Sequence, residues 1–262
     1  MTRVDRSRVV SSFTIIKGSL IDETYAVFRS WDFDRSKLEN LKSVRDGNTV
    51  AGTSSHWVRD VVKVINRRYD PDSRDRPLVE LAKSALSREA WRPVLLFHMT
   101  RDEFLVRDFL GTWLYQQYEA GTYRVRKDDV LEYLDALSGV KDIEWSGSWT
   151  RATADRVAAG LLKIAVDFGL LTGSQHKEFA SYHLPDESFL YLLHALMDSK
   201  GNARAVLDSQ DWRMFFMDAS EVERGLLRLH QYRKLHFESA GSLAQLTLPH
   251  PSAAAYAREL CA

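Results

Sequence analysis

Twice in this 262-residue chain a helical period stops abruptly and two short alternating segments follow at once. That pattern narrows the fold more than any other feature, because a lone two-stranded ribbon is marginal and must lean on the helix it follows. The first instance is TADRVAAGLLKIAVDFGLLTG, from Thr153 to Gly173, continued by LLTGSQHKEFASYHLP around a polar turn, with a new helix start at Asp186. The second is EVERGLLRLHQYRKLHFESAGSLAQLTLPH, from Glu221 to His250, with its hinge at Ala240-Gly241. The predicted fold class is mainly α: a helical N-terminal domain followed by a C-terminal domain with two winged-helix-like units, each a helix-turn-helix plus a short hairpin.

Before the first instance helical spacing dominates. DETYAVFRSW and DRSKLENLKSVRDGN each open on an aspartate that can cap a helix, and the second closes at Gly47-Asn48. In TSSHWVRDVVKVINRRYD, Ser54 or Ser55 is the expected cap and Trp57, Val58, Val61, Val62 and Ile65 form one apolar stripe. Arg59, Lys63, Arg67 and Arg68 are placed off that stripe. Ser87 is expected to cap REAWRPVLLFHM with Pro93 in or near its first turn, DEFLVRDFLGTWLYQQYEAG to end at Gly121, and KDDVLEYLDAL to follow. The pattern loosens across SGVKDIEWSGS, between Gly139 and Gly147. The expected division is therefore 1–137, a helical domain with a possible helix-turn-helix, and 138–262, winged-helix-like, with units of about 138–200 and 206–262.

A helix fits the major groove of duplex DNA, the helix before it braces it on the backbone, and a trailing ribbon reaches phosphates. In the first unit Ser148 or Thr150 is the expected cap, with Val157, Leu161, Ile164 and Phe168 turned inward. Arg151, Arg156 and Lys163 face out, and Lys177 sits at the ribbon tip SQHKE. Gly169 suits the left-handed residue that ends such a helix. In the second unit DWRMFF is the bracing helix, MDAS the turn and EVERGLLRLHQYR the second helix. Arg224, Arg228, Arg233 and Lys234, with two histidines and no acid among them, make its Arg224–His236 segment the most one-sided charge in the chain. Ser54, Ser55, His56, Arg59, Lys63 and Arg67 form a third candidate, at a helix start where the dipole favours phosphate. Against all three stands a plain alternative: helix-turn-helix geometry also packs helices compactly, and a capped amphipathic helix has a solvated face.

Thirty-six basic and 36 acidic side chains cancel, so a polyanion surface has to come from local segregation. Cys261 is the single cysteine, which predicts no disulfide framework and a reducing cytoplasm. The longest uncharged apolar run, SFLYLLHALM, is about half a membrane span, so no membrane partner is expected. Catalytic signals are missing: there is no His-Glu-x-x-His, AGTSSH lacks the lysine of a phosphate loop, and Asp32/Asp34 and Asp70/Asp72 sit where capping explains them. His98 and His194 lie inside apolar runs and read as core or half-buried, and most tryptophans read as core. No enzyme activity, cofactor or metal is predicted.

The order of SSFTIIKGSLIDETYAVFRSW, SSHWVRDVVKVINRRY, DEFLVRDFLGTWLYQQY, RVAAGLLKIAVDFGLLTG and DWRMFFMDASEVERGLLRL with FESAGSLAQLTLP resembles the BrxA family, from about Ser11 to Pro249. That family is the small A component of the BREX bacteriophage-exclusion systems. The resemblance implies a nearly all-helical protein with helix-turn-helix elements, a basic surface and affinity for double-stranded DNA, without enzymatic activity. It also implies work beside other BREX subunits: a methyltransferase, a phosphatase-like protein and ATPases. Motif matches fall on Ser54, His56 and Arg59 and on Thr150, Arg151 and Arg156. The neutral net charge departs from the family's basic surface. Two other readings stand beside DNA binding: a scaffold that docks other BREX subunits, and binding of structured RNA.

Overall fold

The structure is a computed structural model that describes residues 6–13, 15–47, 49–50, 54–137, 143–145, 149–241 and 243–261. Ser148, the alternative cap, and Gly139 and Gly147, the expected boundary glycines, lie outside them. The chain is mainly helical, as its periodicity predicts, and its strands are short.

The N-terminal half begins with β1 (Val9–Val10) and continues through α1 (Ile21–Arg29), α2 (Lys37–Gly47), α3 (Ser55–Arg68), α4 (Arg76–Lys83) and α5 (Arg88–Thr100). The aspartate caps expected at the first two helices are replaced by other devices. α1 starts one residue before Asp22, after Leu20 in the left-handed region (φ 52°), with no side-chain cap. Ahead of α2, Ser36 and Glu39 exchange hydrogen bonds: Ser36 N–H to Glu39 Oε2 at 2.9 Å and Glu39 N–H to Ser36 Oγ at 3.3 Å. Ser54 and Ser87 cap α3 and α5 as their positions predict. Pro93 stands one turn deeper in α5 than expected.

The helix over DEFLVRDFLGTWLYQQYEAG holds α6 (Phe104–Asp108) and α7 (Tyr115–Glu119), with the wider π turn Phe109–Leu114 between them. It ends at Gly121, φ +68°. Then follow α8 (Lys127–Leu137), β2 (Glu144–Trp145), α9 (Arg151–Asp167), β3 (Leu171–Thr172) and β4 (Glu178–Phe179). α10 (Asp186–Lys200), α11 (Ala203–Leu207), a 3₁₀ segment Gln210–Phe215 and α12 (Ala219–Gln231) lead to the ribbon β5 (His236–Ala240) and β6 (Leu243–Thr247), and α13 (Ala253–Glu259) closes the fold.

β1 pairs in parallel with β2, fastening the N-terminal segment to the stretch after α8. Both hairpins are antiparallel, Leu171 opposite Phe179 and Ala240 opposite Leu243. One apolar core runs from Val10 to Ala257. α4 packs on α13, α5 on α10 and α8 on α9, so helices from both sides of 137/138 share it.

Candidate nucleic-acid interface

α9 is built as its sequence predicts. Thr150 Oγ1 accepts from Thr153 N–H at 3.3 Å, and Val157, Leu161, Ile164 and Phe168 are buried. Gly169 leaves the helix at φ +78°. Gly160 allows an approach no other residue would: a Cβ there would stand 2.8 Å from the Ile15 carbonyl oxygen, so the N-terminal segment lies directly on α9. Beyond Arg151 at its first position, what remains exposed is a narrow stripe at helical spacing, Ala152, Arg156, Ala159 and Lys163.

The ribbon behind α9 has a third member. Val125, between α7 and α8, bridges to Lys177 in both directions, Val125 N–H to the Lys177 carbonyl at 2.8 Å and Lys177 N–H back at 3.0 Å. The strand segments at Val125, Lys177–Phe179 and Leu171–Thr172 therefore lie side by side. Arg124 and Arg126 flank Val125 and are exposed. The Arg124 guanidinium lies 4.9 Å from the centre of the exposed Tyr123 ring and 3.2 Å from Glu178. These cations, and α8 with Lys127, are the part of the site the sequence reading missed.

The expected residues are held as follows. Arg151 lies 3.5 Å from Asp155, whose other oxygen takes Lys127 at 2.9 Å. The Lys127 hydrogen bond is the main reason the Asp155 carboxyl sits below its ordinary range. Arg156 Nε donates to the Ala152 carbonyl at 3.3 Å. Lys163 pairs with Asp167 at 2.7 Å. Lys177 Nζ donates to the Gly173 and Ser174 carbonyls at 2.7 and 2.6 Å, closing the ribbon tip.

At α3, Ser54 Oγ accepts from Trp57 N–H at 3.2 Å, and Ser55, His56, Arg59 and Lys63 are exposed. Lys17 binds Asp60 at 2.7 Å, and that bond first, with His56 at 3.5 Å as a lesser cause, holds the Asp60 carboxyl low. Arg67 is half-buried, its guanidinium 5.6 Å from the Phe13 ring centre, and burial lowers its pKa. Arg68 corrects the placement off the stripe: it is fully buried and donates to the Ser19 and Gly18 carbonyls at 3.0 and 2.8 Å. A cleft of about 730 Å³ brings α3 and α9 onto one surface, with Trp57 and Lys17 facing Arg92 and Lys163.

The second region is organised differently. Asp218 caps α12 with a reciprocal bond to Glu221, and the Glu221 N–H is the first reason its carboxyl is held low. Arg228 and Lys234 both turn to Asp186, at 2.5 and 3.3 Å. Arg224 reaches Ser220 Oγ at 3.3 Å and Glu221 at 3.7 Å. Arg224 and Arg228 border a cleft of about 400 Å³ with an aromatic wall that includes Tyr118, Tyr182 and Phe216. Arg233 makes no ion pair among the described residues, and its backbone is left-handed, φ +58°. Leu227, Tyr232 and Leu243 are exposed here, Leu243 at 76%.

The one arrangement that looks catalytic is a chain Asp75–His98–Tyr191, with His98 Nδ1 2.6 Å from Asp75 Oδ1 and Nε2 2.7 Å from the Tyr191 hydroxyl. All three are buried, and no nucleophile follows. Burial, then Arg101, holds His98 neutral and well below its ordinary range. Asp75 stays ionised, because the bond from His98 and nearby arginines outweigh its burial. A neutral His98 thus donates from Nδ1 and accepts from Tyr191. The chain ties α4, α5 and α10 together. His194 is likewise core. No group of three or more His, Cys, Asp or Glu able to hold a metal occurs among the described residues, nor a helix long and apolar enough to cross a membrane.

The family model described as BrxA matches residues 12–195, more than two thirds of the chain. The match covers α9 and its ribbon and stops inside α10, ahead of α12. No curated protein matches the chain.

Proposed function

The chain belongs to the BrxA family, and from that premise we propose that it is the non-catalytic, double-stranded DNA-binding component of a BREX phage-defence system, acting in the cytoplasm. Membership makes it a BREX component; the duplex is the partner its geometry favours. The observation that carries this reading is the Val125–Lys177 bridge. With it, the helix 104–119, the Val125 strand, α8, α9 and the β3–β4 hairpin follow in the order of a winged helix-turn-helix that carries the short strand β2 between its two helices, the last strand paired to the first. Arg124, Arg126 and Lys177 stand on that ribbon, where a wing meets phosphates. Local segregation of charge thus replaces the net charge the chain lacks.

The test is a fluorescence-anisotropy titration of a labelled duplex of roughly 30 base pairs over a range of salt, because each phosphate contacted adds about one counterion to the slope. Tight binding that falls steeply with salt supports the reading. Absence of binding at low salt overturns it, and preferential competition by structured RNA would redirect it to RNA. A scaffold that docks the methyltransferase, the phosphatase-like protein or the ATPases is the second reading. Exposed Leu227, Tyr232 and Leu243 favour it for the α12 region.

A further inference from the structure

We propose that α9 is the helix that enters the major groove, through the stripe Ala152, Arg156, Ala159 and Lys163, and that α12 does not. The proposal rests on the DNA-binding reading above and makes one surface of the molecule responsible for it.

Shape is the first argument. A helix with its side chains is about 10–12 Å across and the major groove about 12 Å wide, so the fit is close, and small residues between basic ones let the helix seat deeply while arginine or lysine reach base edges and phosphates. On α9 the two exposed positions between the basic ones are alanines, Ala152 and Ala159, at the spacing that keeps all four residues on one side. The equivalent outward stripe of α12 is Ser220, Arg224, Leu227 and Gln231, with Leu227 43% exposed.

Charge is the second argument. Lys127 and Arg151 share the carboxylate Asp155 at the start of α9. Among the described residues Arg156 is tied only to a backbone carbonyl of its own helix. The wing adds Arg124, Arg126 and Lys177 on the same unit. On the α9 unit Lys163 pairs with Asp167 and Arg124 with Glu178, which leaves Arg156, Arg126 and Lys177 without a carboxylate among the described residues. On α12 and its exit Arg228 and Lys234 are turned to Asp186 and Arg224 to Glu221, beside the aromatic cleft, and Arg233 is left. Support is the third argument. Ile15 sits against Gly160, about a quarter turn round the helix from Ala159, so α9 is braced along the flank of the stripe.

The experiment compares four variants of the full chain by anisotropy on the same duplex. Ala159→Glu and Ala159→Met place charge or bulk on the stripe at a solvent-facing helical position, where both residues are good helix formers. Ala152→Glu repeats the test in the first turn, where a carboxylate suits the helix dipole, so loss of folding at one site does not end the test. Leu227→Glu does the same to α12. The expected result is a loss of roughly tenfold or more for each α9 variant, the bulky neutral Ala159→Met included, and a change within about twofold for Leu227→Glu. Methyl green, which occupies the major groove, is expected to displace the protein, and netropsin, a minor-groove ligand, to leave it bound. If wild-type protein binds the duplex while the folded α9 variants bind as well as it does, this inference is overturned and the DNA-binding reading stands. If wild-type protein does not bind duplex at all, that reading fails first. Loss on Leu227→Glu equal to that on Ala159→Glu would move the contact to α12.

Discussion

α9 and α12 were made by the same sequence rule and have come to different chemistry. Each is capped by a side chain, Thr150 or Asp218, each is followed by an antiparallel ribbon, and each carries a glycine in mid-helix. α9 presents alanines between its cations, its ribbon gains a third strand from Val125, and it lies within residues 12–195. α12 turns its cations toward Asp186 and Glu221, as Lys163 of α9 turns to Asp167, but it and its ribbon leave leucines and a tyrosine in solvent and lie outside that span. Element order thus fixes a scaffold, and what fills the outward stripe, alanines on α9 and Leu227 on α12, is where the two helices part.

The two regions share a trunk, and the largest predicted effect falls there. His98, between Asp75 and Tyr191, joins α4 and α5 to α10, from which the α12 region departs. Its folded pKa is depressed, so the unfolded chain takes up a proton that the folded chain refuses. Stability is therefore complete above the ordinary histidine range, about 6.5. It is lost at up to about 1.4 kcal/mol per pH unit as pH falls toward about 4, where folded His98 itself titrates. Asp75, whose pKa is also depressed, adds a second loss below the ordinary carboxylate range. Urea melts from pH 7.5 to 4.5 should show a fall of roughly 3 kcal/mol in wild type and a much flatter profile in His98→Gln. An equally steep profile in His98→Gln would place the titrating group elsewhere.

The mid-helix glycines offer the sharpest comparison. A Cβ at Gly160 would lie 2.8 Å from the Ile15 carbonyl oxygen and 2.9 Å from its Cγ2, whereas one at Gly225 would meet the Phe189 ring at 2.9 Å. In a free helix, glycine to alanine gains about 1 kcal/mol. At Gly160 the obstacle is backbone, so Gly160→Ala should cost about 2–3 kcal/mol, the range of overpacking. At Gly225 a ring edge can shift, so Gly225→Ala should cost about 1 kcal/mol or less after the helix gain. Chemical denaturation measures both. Equal costs would mean that Ile15 is no firmer a support for α9 than Phe189 is for α12.

Much of this was legible because helix ends are local. Thr150, Ser54 and Ser87 bond within three residues of themselves, and Gly169 stands where its left-handed backbone is needed. The Val125–Lys177 bridge was not legible: a one-residue strand has no period, and its partner is 52 positions away. The destination of Arg228 was hidden in the same way, since Asp186 is 42 residues distant. Arg68 is the instructive miss. It continues the stripe of Val58, Val61 and Ile65 at helical spacing, and its charge argued for solvent. The two carbonyls that let a guanidinium be buried there belong to Gly18 and Ser19, 50 and 49 residues earlier. Periodicity carried the correct signal, and chemistry read residue by residue overrode it.

Arg233 gives the smallest predicted effect. It follows the last turn of α12, with Arg233 N–H bonded to the His230 carbonyl at 2.9 Å and Lys234 N–H to the Leu229 carbonyl at 3.0 Å. This is a helix ending that glycine adopts without strain and arginine does not, φ being +58°. Arg233→Gly should therefore stabilise the protein by roughly 0.5–1 kcal/mol, a gain readable as a few degrees in Tm. Duplex affinity should stay within about twofold if α9 is the reader, while Arg156→Gln should lower affinity several-fold at unchanged Tm. A more stable Arg233→Gly protein that has lost duplex affinity would mean that the strain at this position keeps an arginine on DNA. The distinction drawn between α9 and α12 would then fail at a cation that pairs with no carboxylate among the described residues.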